Sequence, residues 1–202
     1  MTIAVTLPSG LLAIGRGEAS RPWRERFAKE TLNLIRYADP AAWVVATAVA
    51  AAVDEAATAV AAAGVITVGE RGPIEAMDFV ARAAVEGFAS PLRFVAAGPG
   101  TLAGVACIAL GFRGPTLNLT RPLAEAVPVA LFLTERWLAR KVVPLVALAV
   151  CTHLPPDQPT ARCLILAARE VGAEPTEPVA SFEYADWLLT DAKGPEVLEQ
   201  NR

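Results

Sequence analysis

The chain has 202 residues, a formal net charge of −3, 54% hydrophobic residues and a mean hydropathy of +0.42. Its length fits one domain, and its acidic balance disfavours nucleic acid as a partner, because proteins that bind nucleic acid usually carry a basic face. No window reaches the roughly 18 consecutive apolar residues of a membrane helix, and residues 1–10 show no secretory-signal pattern, so we expect a cytoplasmic protein with no membrane span.

The first part of the chain predicts a strand, a charged segment, a helix and a second strand. Thr2–Leu7 alternates β-branched and small residues before a Pro-Ser-Gly turn, which predicts a strand. Ser20–Tyr37 is rich in charge and predicts an exposed amphipathic helix or an extended loop. The Ala/Val-rich run Trp43–Ala63 predicts a helix, and the short β-branched run Val65–Val68 between glycines predicts a buried central strand.

The middle of the chain predicts three helices and a strand. Pro73–Phe88 has apolar residues at helical spacing, and Thr101–Phe112 follows a Gly-Pro-Gly sequence and also predicts a helix. Thr116–Thr120 follows a Gly-Pro turn and predicts a strand. Val127–Arg140 predicts a helix with Pro128 in its first turn, where proline is tolerated.

The last part of the predicted domain holds two strands. Pro144–Val150 and Ala161–Ala168 are both apolar and are joined by the loop His153–Pro159. Because this loop is too short for a helical crossover, we expect an antiparallel pair.

The composition changes near the end of the chain. Residues 171–202 are acidic and rich in proline, so we place one domain at residues 1–170 and a tail after it. Within the tail, Phe182–Leu189 is amphipathic and predicts a short helix, which docks either on the surface of this domain or on a partner.

The candidate nucleophiles are three cysteines. Cys107, Cys151 and Cys163 lie in apolar runs and not in CxxC pairs, which predicts buried, reduced thiols. His153 is the only histidine, so a histidine-based metal site is excluded. A Cys151–His153 pair would need hydrogen-bond contact and usually a third orienting group, so the alternative, an incidental histidine at a strand end, is favoured.

A glycine-rich segment offers a second candidate site. Gly98, Gly100 and Gly104 approximate a dinucleotide-binding fingerprint, in which glycines before a helix allow phosphate to approach its N-terminus. However, Pro99 removes one backbone donor, and no acidic residue ends the strand Thr116–Thr120 to bind a ribose hydroxyl. A helix entry with close glycine packing is the favoured interpretation.

Several segments together resemble one enzyme family. Phe112–Thr120, with its Gly-Pro turn and following strand, resembles the segment that leads to the nucleophile in β-ketoacyl synthases. Upstream, Ser90–Phe94 and residues 98–104 resemble the helix-loop-helix that precedes it in that family. Downstream, Trp137–Ala139 and Val143–Val150 resemble the end of the nucleophile helix and the next central strand.

The resemblance covers residues 64–168 and implies an α/β, thiolase-like half-fold, with a mixed five-stranded sheet and helices on both faces. It departs from the family at the nucleophile. Where the family continues Thr-Ala-Cys-Ser-Ser-Gly, this sequence continues Arg-Pro-Leu-Ala-Glu-Ala and places Leu123 at the cysteine position. Leucine cannot form a thioester, and the two active-site histidines of the family belong to a C-terminal half that we expect this chain to lack. We therefore expect no condensation chemistry, no cofactor and no metal site.

The resemblance also implies a role. Chain-length-factor subunits of type II polyketide synthases lack the cysteine too, but commonly carry glutamine, whose amide Leu123 does not offer. The expected function is a non-catalytic, chain-length-factor-like subunit that forms a heterodimer with a full-length ketosynthase and indirectly serves an acyl carrier protein. The pathway would be type II polyketide biosynthesis, polyenes included, or fatty-acid-like biosynthesis. Two alternatives stay open: a structural or regulatory homodimer of the same fold without acyl chemistry, and a small enzyme built around Cys151.

The resemblance places the subunit interface on one strand. In β-ketoacyl synthases the strand before the nucleophile pairs across the dimer axis, so the expected interface residues are Thr116, Leu117, Asn118, Leu119 and Thr120. Because the fold packs two halves in alternating layers, we also expect Val44–Ala63 and Val127–Leu133 to present an uncovered apolar face.

Overall fold

The computed structural model describes residues 7–88, 90–154, 158–169 and 187–188. The strands are β1 (Leu11–Ala19), β2 (Gly64–Gly69), β3 (Thr116–Leu119), β4 (Leu145–Leu154) and β5 (Gln158–Ala168). The α-helices are α1 (Lys29–Leu34), α2 (Pro40–Ala56), α3 (Ile74–Val85), α4 (Pro91–Ala96), α5 (Thr101–Leu110) and α6 (Leu123–Ala139). Among these helices, none combines the length and the apolar character that crossing a membrane requires.

The strands form one mixed sheet in the order β1-β5-β4-β2-β3. β2 lies between β4 and β3 and runs parallel to both, whereas β5 is antiparallel to its neighbours β4 and β1. α2 and α5 cover one face, called the outer face below, and α6 packs on the other, the inner face. The expected α/β half-fold, a mixed five-stranded sheet with helices on both faces, is confirmed.

On the outer face, α2 lies directly on the backbone of β1. A Cβ added at Gly17 would stand 2.1 Å from the carbonyl oxygen of Ala48, and one added at Gly15 would stand 2.3 Å from that of Ala52. No side chain fits at either position without moving the helix, so the two glycines and the alanines of α2 set the spacing between helix and sheet.

This packing corrects one expectation about uncovered surface for the first part of the segment Val44–Ala63. Every residue of α2 from Ala41 to Ala50 is buried within this chain, so residues 44–50 do not present an apolar face to a partner. The helix also ends earlier than predicted, at Ala56, because Ala57 adopts the left-handed conformation (φ 47°) and donates its N–H to the carbonyls of Val53 and Asp54.

One buried carboxylate fixes the start of two helices. Asp39 is 3% exposed, and its Oδ1 accepts the N–H of Ala41 in the first turn of α2 at 2.8 Å. Its Oδ2 accepts the N–H of Ala76 in the first turn of α3, also at 2.8 Å. Asp39 therefore satisfies donors at two helix N-termini and ties α3 to the start of α2.

The inner face is covered by α6 and by short stretches from both ends of the chain. Val127, Ala130 and Leu131 of α6 pack on the apolar side chains of β2, β4 and β5. Leu7 and Leu188, which are 4% and 2% exposed, belong to the same cluster. The described chain thus buries much of the inner face of its own sheet.

The predicted helix Val127–Arg140 is longer than expected at its N-terminus. α6 begins at Leu123, so Pro128 lies inside the helix and not in its first turn. The extra turn forms because Pro122 accepts the N–H groups of Glu125 and Ala126 at 2.9 and 3.0 Å. Pro128 itself is exposed, where its missing N–H costs no buried hydrogen bond.

The β4–β5 hairpin is confirmed as antiparallel, but it is also longer than predicted. His153 and Pro159, which were expected in the loop, are paired in the ladder, so only residues 155–157 separate the two strands. The antiparallel ladder continues past Val150 to the pair Leu154–Gln158, although Pro159 cannot donate an N–H.

The strand β1 was not predicted from the sequence. The predicted strand Thr2–Leu7 lies outside the described residues except for Leu7, and the observed β1 follows the Ser9-Gly10 turn. Its two glycines weaken the usual strand pattern, and pairing with β5 stabilises it instead. Ser20–Tyr37 contains a short 3-10 turn, Arg24–Arg26, and the single short helix α1.

We predict that Gly17→Ala lowers the free energy of unfolding by about 1–3 kcal/mol, since the added methyl group meets backbone atoms of α2 that cannot rotate away. Urea unfolding followed by circular dichroism measures the effect. Gly100→Ala is the matched control, because a Cβ there meets nothing within 4 Å. Equal stability of the two variants would contradict the close-packing account.

Candidate functional site

β3 forms one edge of the sheet, and its free side faces away from β2. Within the described residues it pairs only with β2, from Thr116 opposite Val65 to Leu119 opposite Val68. One side of its backbone therefore has N–H and C=O groups without strand partners. Such an edge can accept another strand.

The opposite edge is protected, in contrast to β3. β1 carries a register shift between Ala13 and Gly15 and two charged, exposed side chains, Arg16 and Glu18. Bulges and charges are devices that prevent strands from adding to an edge. β3 contains no charged residue and no shift in its pairing with β2, so it is the edge suited to strand addition.

The side chains of β3 fix its position from both faces. Asn118 accepts a hydrogen bond from the buried Thr67 hydroxyl through Oδ1 and donates to Thr120 Oγ1 at 2.9 Å. Leu117 and Leu119 point to the inner face and pack against the cluster that includes α6. Thr116 and Thr120 are exposed at the two ends. The strand is thus rigidly placed while its free edge stays open.

The N-terminus of α6 begins a few residues after β3 and holds Leu123. The Leu123 side chain is half-buried and packs against the inner-face cluster. Its backbone N–H donates to Oε1 of Glu70, 3.3 Å away, and Glu70 directly follows the buried strand β2. A carboxylate therefore sits where a helix N-terminus would otherwise stabilise an anion, such as a thiolate.

Glu70 was not identified from the sequence. The available signal was its position as an acidic residue immediately after a buried parallel strand, where side chains from neighbouring strand ends converge. The structure brings Glu70 and Leu123 together, and β3 with its Asn118 leads into the same helix start.

Cys151 of the candidate pair Cys151–His153 lies opposite Gly69 at the end of β2, but its side chain is on the outer face of the sheet. Cys151 is 2% exposed and belongs to the outer-face cluster, whereas α6 lies on the inner face. Burial, with a smaller contribution from the negative charge of Asp39, raises the pKa of the Cys151 thiol to about 12. A thiol that stays protonated at neutral pH is a poor nucleophile, which disfavours a small enzyme built on this residue.

The other cysteines are also held as neutral thiols. Burial raises the pKa of Cys107 to about 11 and raises the pKa of Cys163 still further. Cys163 is fully buried, as expected, whereas Cys107 is only half-buried. Within the described ranges, no group of three His, Cys, Asp or Glu side chains could hold a metal ion.

The glycine-rich segment does not have the context of a dinucleotide-binding loop. Gly98 and Gly100 follow helix α4, not a strand, and lead into α5. Thr101 donates its hydroxyl to the Gly98 carbonyl at 2.7 Å, so the loop is closed by its own side chain. These glycines form a tight helix-to-helix connection.

Trp187 and Leu188 are the described residues of the predicted tail. Leu188 packs on the inner face, and Arg162 of β5 donates to the Trp187 carbonyl. The Arg162 guanidinium also lies 5.2 Å from the Trp187 ring centroid and 3.2 Å from a carboxylate oxygen of Glu18. These two residues therefore contact this domain itself.

No protein-family model matches the sequence, and no curated protein matches it either. Solved structures do match. A ketosynthase, ApeO, in complex with its chain length factor, ApeC, from Xenorhabdus doucetiae is 12% identical, with a TM-score of 0.57 over 68% of this chain and 61% of that chain.

Two further matches have the same fold. A type II polyketide synthase acyl-carrier protein in complex with its ketosynthase, AntDE:AntF, gives 13% identity and a TM-score of 0.58 over 79% of this chain and 63% of that chain. A β-ketoacyl synthase from Burkholderia phymatum gives 9% identity and a TM-score of 0.60, covering 79% and 59%.

These similarities establish the thiolase-like half-fold of ketosynthases and chain length factors. The chain spans about three fifths of the length of these three solved chains. At identities this low, the similarity defines the arrangement of helices and strands, while the chemistry has to be argued from the residues of this chain.

We predict that the native thiols resist modification. With Ellman's reagent at about pH 8, Cys151 and Cys163 should not react before unfolding and Cys107 should react slowly, because their raised pKa values keep the reactive thiolate scarce. The absorbance of the released thiolate measures this, with the denatured protein as the control that exposes all three thiols. Rapid labelling of native Cys151 would contradict this prediction.

We also predict that Glu70 weakens the anion-stabilising effect of the α6 N-terminus. A thiol introduced by Leu123→Cys should have a pKa about one unit lower when Glu70→Gln is added, because the nearby negative charge is then removed. The pH dependence of alkylation at position 123, followed by peptide mass spectrometry, measures this pKa. Leu123→Cys combined with Glu55→Gln is the control, since Glu55 pairs with Arg16 at the end of α2. An equal shift in both pairs would show that Glu70 has no specific effect.

Proposed function

We propose that this protein is a non-catalytic, chain-length-factor-like partner subunit that forms a heterodimer with a full-length ketosynthase. The observation that carries the proposal is the combination, at one place, of an open strand edge and a helix N-terminus without a nucleophile. β3 offers the edge, and Leu123 with Glu70 occupies the helix start. The mixed sheet and its helices hold the strand edge and the helix N-terminus in position.

The residues at the start of α6 support the proposed absence of condensation chemistry. Leu123 cannot attack a thioester, and its side chain is packed into the inner-face cluster. Glu70 places negative charge where a tetrahedral oxyanion or a thiolate would need positive potential. Leucine also lacks the amide of the glutamine that chain-length-factor subunits commonly carry at this position. These features support a partner role over a catalytic one.

The interface is proposed at β3, with Thr116, Leu117, Asn118, Leu119 and Thr120 along the contact. A strand added to the free edge of β3 would continue the sheet into the second subunit and satisfy the open backbone groups. Exposed apolar side chains support a larger contact. Val129 and Phe132 of α6 are 47% and 57% exposed, which keeps part of the expected apolar face on Val127–Leu133.

Helix α3 gives independent support for a partner. It has 12 residues, none of them buried, and its Met77 and Val85 are exposed. A helix of this length is marginal in water unless an apolar face packs against something. Within the described chain, α3 packs mainly on the short α4, so a second subunit would supply the missing cover.

We propose the pathway by analogy with the matched structures. Matched structures include a ketosynthase with its chain length factor and a type II ketosynthase with its acyl-carrier protein. We therefore place the protein in type II polyketide biosynthesis, polyenes included, or in fatty-acid-like biosynthesis, in the cytoplasm. The acyl carrier protein would be an indirect partner, through the ketosynthase.

A homodimer without acyl chemistry is the second candidate, because the same β3 edge can pair with its own copy around a two-fold axis. Light scattering on the isolated protein separates the two candidates. A stable homodimer favours the structural role, and a monomer that dimerises only with a ketosynthase favours the first.

We predict that Thr116→Lys combined with Thr120→Lys prevents assembly, because charge on an open strand edge opposes strand addition. Co-purification with a full-length ketosynthase, tagged on either subunit in turn, measures the loss. Leu12→Lys on the other sheet edge is the matched control and should leave the complex intact. Failure of the unmodified protein to co-purify in both tagging orders would sink the heterodimer proposal.

A further inference from the structure

An apolar groove lies between α1, α4 and α5, on the outer side of the molecule. Its volume is about 310 Å³, and Gly100 and Gly104 form part of its lining. A Cβ at either glycine would meet nothing within 4 Å, so the groove is open above them. The aliphatic side chains along it are Leu34, Ile35, Leu92, Val95, Val105 and Ile108.

The walls of this apolar groove are unusually accessible. Leu34 is 77% exposed, Val95 68% and Leu92 58%. Large aliphatic side chains gathered around a depression at this exposure leave a contiguous apolar patch in water, which proteins usually reserve for a ligand or partner.

A cleft with three arginines adjoins the groove, and the two share Tyr37 and Ala38 in their linings. This arginine cleft has a volume of about 520 Å³ and contains Arg36, Arg82 and Arg93. None of the three forms an ion pair within the described part of the chain.

Aromatic rings orient two of these arginines. The Arg93 guanidinium lies 3.9 Å from the Phe79 ring centroid and 5.1 Å from that of Tyr37, and Arg36 lies 4.8 Å from the Tyr37 ring. Stacking through the face of a guanidinium leaves its N–H groups free at the rim, where they can bind a carboxylate or phosphate.

The cleft also contains three acidic residues, Asp39, Glu75 and Asp78, so its formal charges balance, but these carboxylates do not pair with the arginines. Both oxygens of Asp39 accept backbone N–H groups, from Ala41 and Ala76. Glu75 and Asp78 line the cleft from the exposed surface of α3, and neither lies within ion-pair distance of an arginine. Among the described residues, the guanidinium groups of the three arginines therefore have no carboxylate partner, and their N–H groups can donate to an anionic head.

We propose that the apolar groove and the arginine cleft together bind one amphiphile, a hydrocarbon chain of about ten carbons with an anionic carboxylate or phosphate head. A methylene group takes about the space of a water molecule, roughly 30 Å³, so 310 Å³ holds a chain of this length. The site lies beside α5, which covers the outer face, and Leu123 packs towards the inner face. The proposal therefore does not depend on the partner role.

Isothermal titration calorimetry with decanoate and decyl phosphate, below their critical micelle concentrations, tests the proposal. We expect both to bind the full chain with one-to-one stoichiometry, and butyrate and decanol each to bind at least tenfold more weakly. Butyrate lacks the chain, and decanol lacks the charge. The ratio of the affinities for decyl phosphate and decanoate shows which anionic head is preferred.

Gly104→Leu fills the groove and should weaken decanoate binding at least tenfold. The melting temperature should not fall, because leucine is the better helix former and the space at Gly104 is open. Ala139→Leu, at the exposed end of α6, is the matched control and should bind as the unmodified protein does.

Arg93→Gln should weaken binding of decanoate and decyl phosphate at least tenfold while changing decanol binding little. Arg140→Gln, on an exposed arginine at the end of α6, is its control. Absence of binding to the unmodified protein would overturn the proposal in favour of a protein segment as the occupant of the groove. Equal affinity of Gly104→Leu and the unmodified protein, or equal loss of decanol and decanoate binding in Arg93→Gln, would overturn it as well.

Discussion

The contact between α2 and β1 is the constraint on which the rest of this structure depends. Gly15 and Gly17 allow the backbone of α2 to approach the sheet so closely that no Cβ fits between them. Because α2 also contacts α5, β4 and β5, its position sets the thickness of the outer layer. The alanines of α2 serve this spacing, which explains why a sequence this rich in small apolar residues forms a dense core.

The position of the candidate site depends on this outer layer. Asp39 fixes the starts of α2 and α3 with its two carboxylate oxygens, and α5 leads from the outer layer into β3. β3 then passes directly into α6, so the open strand edge and the helix N-terminus are neighbours by connectivity. Glu70 reaches the same helix start from the end of β2. The features proposed to define a partner subunit are therefore consequences of the order β4-β2-β3 in the sheet.

The two faces of the sheet are covered by different elements. The outer face is closed by α2 and α5 and supports, on its far side, the apolar groove and the arginine cleft. The inner face is covered by α6, Leu7 and Leu188, with Arg162 holding Trp187 beside it. This separation allows an assembly surface at the β3 edge and a ligand site beside α5 to act independently.

The sequence alone predicted the central strand at Val65–Val68 and the antiparallel hairpin, since hydrophobic periodicity and loop length encode these directly, and the resemblance to β-ketoacyl synthases implied the fold class. Tertiary structure decided the rest. β1 was not predicted because the role of its glycines, which is to allow the backbone of α2 to approach, depends on a helix that is distant in the sequence. The burial of α2 could not be predicted either, because β1, β5 and α5 together enclose it. Glu70 likewise became a partner of Leu123 only when β2 brought together residues 53 positions apart in the chain, a contact that no local pattern encodes.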